Sequence, residues 1–116
     1  MKIDNTPQLD FKDVLIRPKR TILESRSQVN LMRKFKFPYS TQEWEGVPII
    51  AANMDTTGTF GVFDVLSVHK MITSLHKFYT LNDYKKRWAE SPMDPNYFMV
   101  SSGIDESGFS NLYDII

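Results

Sequence analysis

The chain has 116 residues, a formal net charge of zero at pH 7 and no cysteine. A chain of this length forms at most one domain with a modest core. The lack of cysteine excludes disulfides, thiolate metal sites and a thiol nucleophile supplied by this chain. No apolar run approaches the about 18 residues of a membrane-spanning helix, and the N-terminus lacks the apolar core of a signal peptide. We therefore expect a cytoplasmic protein with no metal and no membrane partner.

The charges are segregated along the chain. Residues 1–39 contain nine Lys or Arg against four Asp or Glu, whereas the remainder contains five against ten. A basic arm can hold phosphates, nucleic acid or an acidic neighbouring subunit, or its charges can simply coat an exposed surface. Because the arm lacks the interleaved aromatic residues of a nucleic-acid stacking platform, we expect no nucleic-acid partner.

Two short strands are predicted in the arm. The first covers residues 11–17 and is stopped by Pro18. The second covers residues 29–37, where apolar and polar side chains alternate except at Arg33, as in a half-buried strand. Trp44 follows, and we expect its side chain to pack against apolar residues.

The central feature of the chain is a short apolar run at residues 47–52, which predicts a parallel strand buried on both faces. Polar side chains begin at Asn53, and a helix is predicted over 58–69. A buried strand that ends in polar groups and feeds a helix is where α/β proteins place ligands. The alternative is an ordinary turn in which Asp55 or Thr56 caps the helix.

The alternation of strand and helix is then repeated. Apolar runs at 71–75 and 97–100 predict two further strands, and residues 109–116 follow helical spacing. Between these strands, Thr80 and Asp83 form a variant of a capping box, with Asp in place of Glu. The predicted helix that follows has a buried face formed by Leu81, Tyr84 and Trp88.

The predicted order is therefore βαβαβα, with crossovers long enough for a parallel sheet. All three strands end in polar or small side chains: Asn53 and Asp55, His76 and Lys77, and Ser101 and Ser102. The carboxyl ends of parallel strands lie side by side at one edge. The sequence therefore predicts one candidate site at that edge.

Several segments also resemble GMP reductase: FKDVLIRPKR at 11–20, Ser25-Arg26, GVPIIAANMDTTGTF at 46–60, His76-Lys77 with Tyr79, and VSSG at 100–103. The related IMP dehydrogenases typically read SSPMD where this chain has AANMD, and His-His where this chain has His76-Lys77. The whole chain is therefore similar to the N-terminal third of GMP reductase.

The resemblance implies that the βαβαβα unit is part of a TIM (β/α)8 barrel. Residues 1–46 would form a basic N-terminal arm with short strands. Residues 47–116 would form the first three βα units of a single domain, which is truncated here. The resemblance also implies NADPH-dependent reduction of GMP to IMP and ammonia, usually by a homotetramer.

The family's chemistry uses a cysteine that attacks carbon 2 of the purine to give a thioimidate, which accepts hydride. Since this chain has no cysteine, we expect it to be incomplete and inactive alone, and to need a complementing C-terminal part. The alternative is a non-catalytic nucleotide-binding or interaction module that associates with a full-length reductase.

The resemblance also assigns site residues. Lys77 matches the family's lysine near the leaving ammonia and the cofactor, where an ammonium can stabilise developing negative charge and share protons with the amine; the alternative is a surface lysine. His76 is expected to make a structural hydrogen bond. Ser25 and Arg26 match the NADPH end of the site, or are simply exposed polar residues of the arm. The turn under the nucleotide is matched by Ala52, Asn53 and Met54, where a thioether can pack against the purine.

Overall fold

The computed structural model describes residues 5–39 and 41–116. Residues 1–4 and Ser40, which belong to the predicted arm, lie outside the described residues. The strands are β1 Arg33–Lys36, β2 Glu43–Gly46, β3 Ile50–Ala51, β4 Ile72–Ser74 and β5 Phe98–Met99. The α-helices are α1 Phe60–Val68, α2 Leu81–Glu90 and α3 Glu106–Ile115. Single-turn 3-10 helices lie at Phe11–Asp13, Arg26–Gln28 and Pro95–Tyr97.

Strands β3, β4 and β5 form a parallel sheet in that order. Ile50 pairs with Ile72, and Thr73 pairs with Ala51 on one side and Phe98 on the other. Helix α1 connects β3 to β4, α2 connects β4 to β5, and α3 follows β5. The predicted βαβαβα order and parallel pairing are therefore confirmed. As a consequence, the carboxyl ends of the three strands lie at the same edge of the sheet.

The hydrophobic core lies between this sheet and its helices. Its buried members are Trp44, Phe63, Ile72, Leu75, Tyr84, Met93 and Tyr97. Phe63 of α1 packs its ring edge-on against Phe98 of β5, with 5.8 Å between ring centroids. Trp44 of β2 is buried as predicted, and its indole N–H donates to the Asn96 carbonyl oxygen at 2.8 Å. This bond attaches the antiparallel β1–β2 hairpin to the loop before β5.

Helix α1 begins at a residue other than the predicted caps. The Thr59 hydroxyl accepts a hydrogen bond from the Val62 N–H at 3.2 Å. The prediction that Asp55 or Thr56 caps this helix was wrong, because these residues belong to a turn that precedes it. This turn is closed by two hydrogen bonds, which the N–H groups of residues 57 and 58 donate to the Met54 carbonyl oxygen.

Helix α2 begins with the predicted capping box. The Asp83 N–H donates to the Thr80 hydroxyl at 3.3 Å, and the Thr80 N–H donates to the Asp83 carboxylate at 2.7 Å. The predicted buried face is only partly correct. Tyr84 is buried and Leu81 is half-buried, but Trp88 is exposed.

Three strand predictions differ from the structure. No strand forms at 11–17: Asp10 and Asp13 cap a 3-10 turn over Phe11–Asp13, and residues 14–17 pair with no described strand. The strand predicted over 29–37 covers only Arg33–Lys36, and all four residues are exposed and not half-buried, since among the described residues its sheet contains only β1 and β2. Strand β3 is two residues long, and its Ile50 is 54% exposed, because in the part of the chain that the structure describes β3 pairs with β4 on one side only.

The first part of the arm, residues 5–31, is exposed throughout and adds no side chain to the core. The radius of gyration is 18.7 Å, whereas a compact domain of this length has a value of about 13 Å. None of the helices in the described ranges combines the length and apolar character needed to cross a membrane.

Candidate functional site

The candidate site is the edge where the three parallel strands end, here called the rim, which comprises residues 52–58, 75–79 and 100–105. The second and third of these loops are each bonded to the end of the neighbouring strand. The Leu75 N–H donates to the Met99 carbonyl oxygen at 2.8 Å, which continues the pairing of β4 with β5. Beside this bond, the hydroxyl oxygens of Ser74 and Ser101 lie 3.3 Å apart.

Gly58 joins the first loop to the second. Its carbonyl oxygen accepts a hydrogen bond from the His76 N–H at 2.9 Å. A Cβ atom at position 58 would lie 2.2 Å from the Ser74 carbonyl oxygen and 3.0 Å from the Asn53 Cα. Because these neighbours are backbone atoms, any side chain here would force the two loops apart.

Lys77 is exposed at the tip of the second loop. Its ammonium nitrogen lies 5.6 Å from the centre of the Phe78 ring. Lys77 also lines a shallow pocket of about 260 Å³ against the start of α3, together with Phe78, Gly103, Asp105, Ser107, Gly108 and Asn111. Within the part of the chain that the structure describes, the Lys77 ammonium forms no ion pair.

Asp105 places a negative charge in the same pocket. It caps α3, where it accepts hydrogen bonds from the Ser107 hydroxyl at 3.0 Å and the Gly108 N–H at 3.1 Å. These bonds hold the pKa of Asp105 below its ordinary value, and the positive charge of Lys77 acts in the same direction. Asp105 was not among the residues predicted for the site. The signal was an aspartate directly before a helical run, which is a common N-cap.

His76 and Tyr79 are packed against each other by their rings. The two rings are stacked with 3.9 Å between centroids, and the Tyr79 ring stacks in turn on Phe60 at 3.9 Å. The backbone N–H of His76 donates to the Gly58 carbonyl oxygen, whereas its ring Nδ1 is buried without a hydrogen-bond partner among the described residues. The role of Tyr79 was also missed, because stacking partners depend on the tertiary fold.

The segment from Ala52 to Met54 lies between the end of β3 and the turn into α1. The Met54 carbonyl oxygen closes that turn by accepting from the N–H groups of Thr57 at 3.0 Å and Gly58 at 2.6 Å. The Met54 side chain is 59% exposed. The rim therefore brings the segment that contains Asn53 and the loop that carries Lys77 to one edge of the sheet, beside Ser101.

Ser25 and Arg26 lie elsewhere, in the exposed arm. The Ser25 hydroxyl caps a single-turn helix by accepting from the Ser27 N–H at 3.3 Å. Among the residues that the structure describes, no hydrogen bond or ion pair connects Ser25 or Arg26 to the rim. No group of three or more His, Asp or Glu side chains that could hold a metal ion occurs among the described residues.

Known proteins match this chain over all or nearly all of its length. No family model matches the sequence. The chain is 46% identical over 121 aligned residues to GMP reductase from Vibrio vulnificus (strain YJ016), a match that covers 100% of this chain and 34% of that protein. It is 47% identical over 114 residues to GMP reductase 2 from Homo sapiens, with coverage of 98% and 33%. The chain thus spans about a third of the length of the curated relatives it matches. The resemblance to GMP reductase is confirmed: over its whole length, this chain is homologous to about a third of a GMP reductase.

Proposed function

We propose that this chain carries part of the active site of an NADPH-dependent GMP reductase, an oxidoreductase that converts GMP to IMP and ammonia in the cytoplasm. The observation that carries the proposal is the joined rim in a chain 46% identical to GMP reductases. Its Gly58–His76 hydrogen bond fixes the loop of Met54 beside the loop of Lys77. These are two of the segments on which the sequence resemblance rests.

We further propose that the three βα units are part of a (β/α)8 barrel. A barrel of this kind consists of parallel strands that are each followed by a helix, and its active site lies at the carboxyl ends of the strands. The order and pairing of β3, β4 and β5 agree with that arrangement. In the described residues β3 and β5 each pair on one side only, and barrel closure would cover both free edges.

Lys77 would act on the purine in this reaction. Its ammonium is exposed and has no carboxylate partner within 4.0 Å in the described chain, so its charge remains available. At the departing amine it would stabilise negative charge and share a proton. The exposed thioether of Met54 offers a polarisable surface for the purine ring, with Ala52 and Asn53 forming the rest of the turn beneath it.

NADPH supplies the hydride in this reaction when it is bound. Its phosphates require cationic and hydroxyl groups, and this chain offers Lys77, Arg26 and Ser25. Arg26, like Lys77, forms no ion pair with another described residue, so its charge is compatible with an anionic cofactor. The assignment of Ser25 and Arg26 to this cofactor is supported only by the match to the family's motif.

This chain contains no cysteine and therefore supplies no thiolate to attack the purine. For this reason we propose that turnover needs a complementing polypeptide that contains the nucleophile, within a homo-oligomer of the kind the family forms. The same absence favours a second candidate function. In that case the chain is a non-catalytic module that binds the nucleotide or docks onto a full-length reductase.

The test is GMP-dependent oxidation of NADPH. The chain alone should show no turnover, and the chain mixed with the remaining two thirds of the Vibrio vulnificus relative should show it. In the active mixture, Lys77→Ala should abolish most of the activity, whereas Lys85→Ala, at an exposed position of α2, should leave it unchanged. Turnover by the pure chain would refute the need for a complement. An inactive mixture whose chain still binds GMP would favour the non-catalytic module.

A further inference from the structure

The described contact of the Lys77 ammonium is with the ring of Phe78, its neighbour in the same loop. The Lys77 side chain forms neither a hydrogen bond nor an ion pair with another described residue, and Phe78 is 65% exposed. The place of Lys77 is therefore set by the residues that flank it. Deepening the function proposed above, on which this inference rests, we propose that Tyr79 is a positioning residue that holds Lys77 at the rim.

The aromatic rings close the base of the Lys77 loop. His76 precedes Lys77 and Tyr79 follows Phe78, and the rings of these two outer residues stack with 3.9 Å between centroids and 20° between planes. Stacked rings at this spacing attract each other beyond the area that they bury. The stacked rings thus close the base of a short loop, and Lys77 and Phe78 form the turn at its tip.

Tyr79 also ties this loop to the elements on either side of it. Its ring stacks on Phe60 at the start of α1, and its hydroxyl oxygen accepts a hydrogen bond from the Phe60 N–H at 3.2 Å. Its carbonyl oxygen accepts one from the Asn111 side-chain amide of α3 at 3.4 Å. One residue therefore contacts α1, α3 and the base of the loop. The Gly58–His76 hydrogen bond is a further anchor of the loop.

The first test measures backbone order in this chain by ¹⁵N NMR. The heteronuclear NOE of the Lys77 amide should resemble that of α2 in the unmodified chain and fall to loop-like values in Tyr79→Leu. Tyr79→Phe keeps the stack and should retain most of the order. The control is Phe63→Leu, which removes the ring contact with Phe98 and leaves the Tyr79 stack on His76 and Phe60 in place. It should lower the unfolding midpoint without changing the Lys77 value.

The proposal is overturned if Tyr79→Leu leaves the Lys77 NOE unchanged, or if Phe63→Leu lowers it equally. If Tyr79→Leu does not fold, Asn111→Ala removes one anchor without opening the core. It should lower the NOE over residues 76–79 alone, and an unchanged value would equally overturn the proposal.

The second test uses NADPH as the probe and follows amide shifts on titration. Tyr79→Leu and Lys77→Ala should each weaken binding by about tenfold, and the double variant should bind no more weakly than Lys77→Ala, because residues that act as a unit are not additive. The positioning role would be overturned if Tyr79→Leu bound NADPH as tightly as the unmodified chain while Lys77→Ala bound it more weakly. If NADPH shifts no amide of the unmodified chain, the cofactor contacts proposed for this chain are refuted, and the NOE result still decides the role of Tyr79.

Discussion

The Asp83 carboxylate makes part of the free energy of unfolding of this chain dependent on pH. Asp83 accepts from the Thr80 hydroxyl and the Thr80 N–H, both at 2.7 Å. The side-chain bond and then the backbone bond hold the pKa of Asp83 below its ordinary value of 3.8. Since the folded-state pKa is the lower one, the stabilisation is present above pH 3.8 and is lost as the pH falls through the folded-state value.

Replacing this carboxylate by an amide should remove that dependence. Asp83→Asn should lose less stability than the unmodified chain when the pH is lowered from about 5 to about 3, because the variant has no proton to take up at this site. Thermal unfolding followed by circular dichroism measures the difference. Asp55→Asn is the control, since the Asp55 carboxylate has no hydrogen bond in the described residues. Parallel pH profiles for Asp83→Asn and the unmodified chain would contradict the assignment.

At the scale of elements, the order of strands and helices could be predicted because apolar runs and helical spacing are local properties of the sequence. The places where elements begin and what they bury were less predictable. The turn closed by the Met54 carbonyl oxygen precedes α1, whose N-cap is Thr59. Trp88 is exposed, whereas Arg87 turns inward because its partner Asp64 lies on α1, 23 residues away. No local pattern contains that information.

The Arg87–Asp64 pair links α1 to α2. The Arg87 side chain is only 11% exposed, and it also donates to the Ser91 carbonyl oxygen at the end of α2. Arg87→Met should lower the free energy of unfolding by about 1–2 kcal/mol, since hydrogen bonds to charged groups are lost. Asp64→Asn should have a smaller effect because Asp64 is 54% exposed. Urea unfolding measures both, with Lys85→Met as the control. Equal midpoints for Arg87→Met and the control would contradict the prediction.

At the scale of the whole molecule, the rim could be predicted because parallel strands necessarily bring their carboxyl ends together. The positions of Ser25 and Arg26 relative to the rim could not be predicted from the sequence. A motif match assigns them a role, but no local rule states where an exposed arm lies relative to the rim. The stack of His76, Tyr79 and Phe60 likewise depends on the packing of α1 against the loop after β4, so it became visible only in the structure.

The free edges of the parallel sheet should promote self-association of the isolated chain. Strand β5 has its only described partner in β4, and Met99 on it is 40% exposed. Met99→Lys should lower the average mass in sedimentation at high protein concentration, because a charge at a strand edge opposes pairing between molecules. The control is Val65→Lys on α1, whose side chain is 62% exposed. An equal decrease in the control would exclude edge pairing as the cause.

Gly58 has a consequence for how relatives of this chain are interpreted. The backbone of the neighbouring loop fills the space that any side chain would need at this position. Selection for correct folding is therefore sufficient to preserve glycine here, without any contribution from chemistry. A relative that has lost its enzymatic role would keep this residue, and its presence in a newly found gene is no sign of a working reductase.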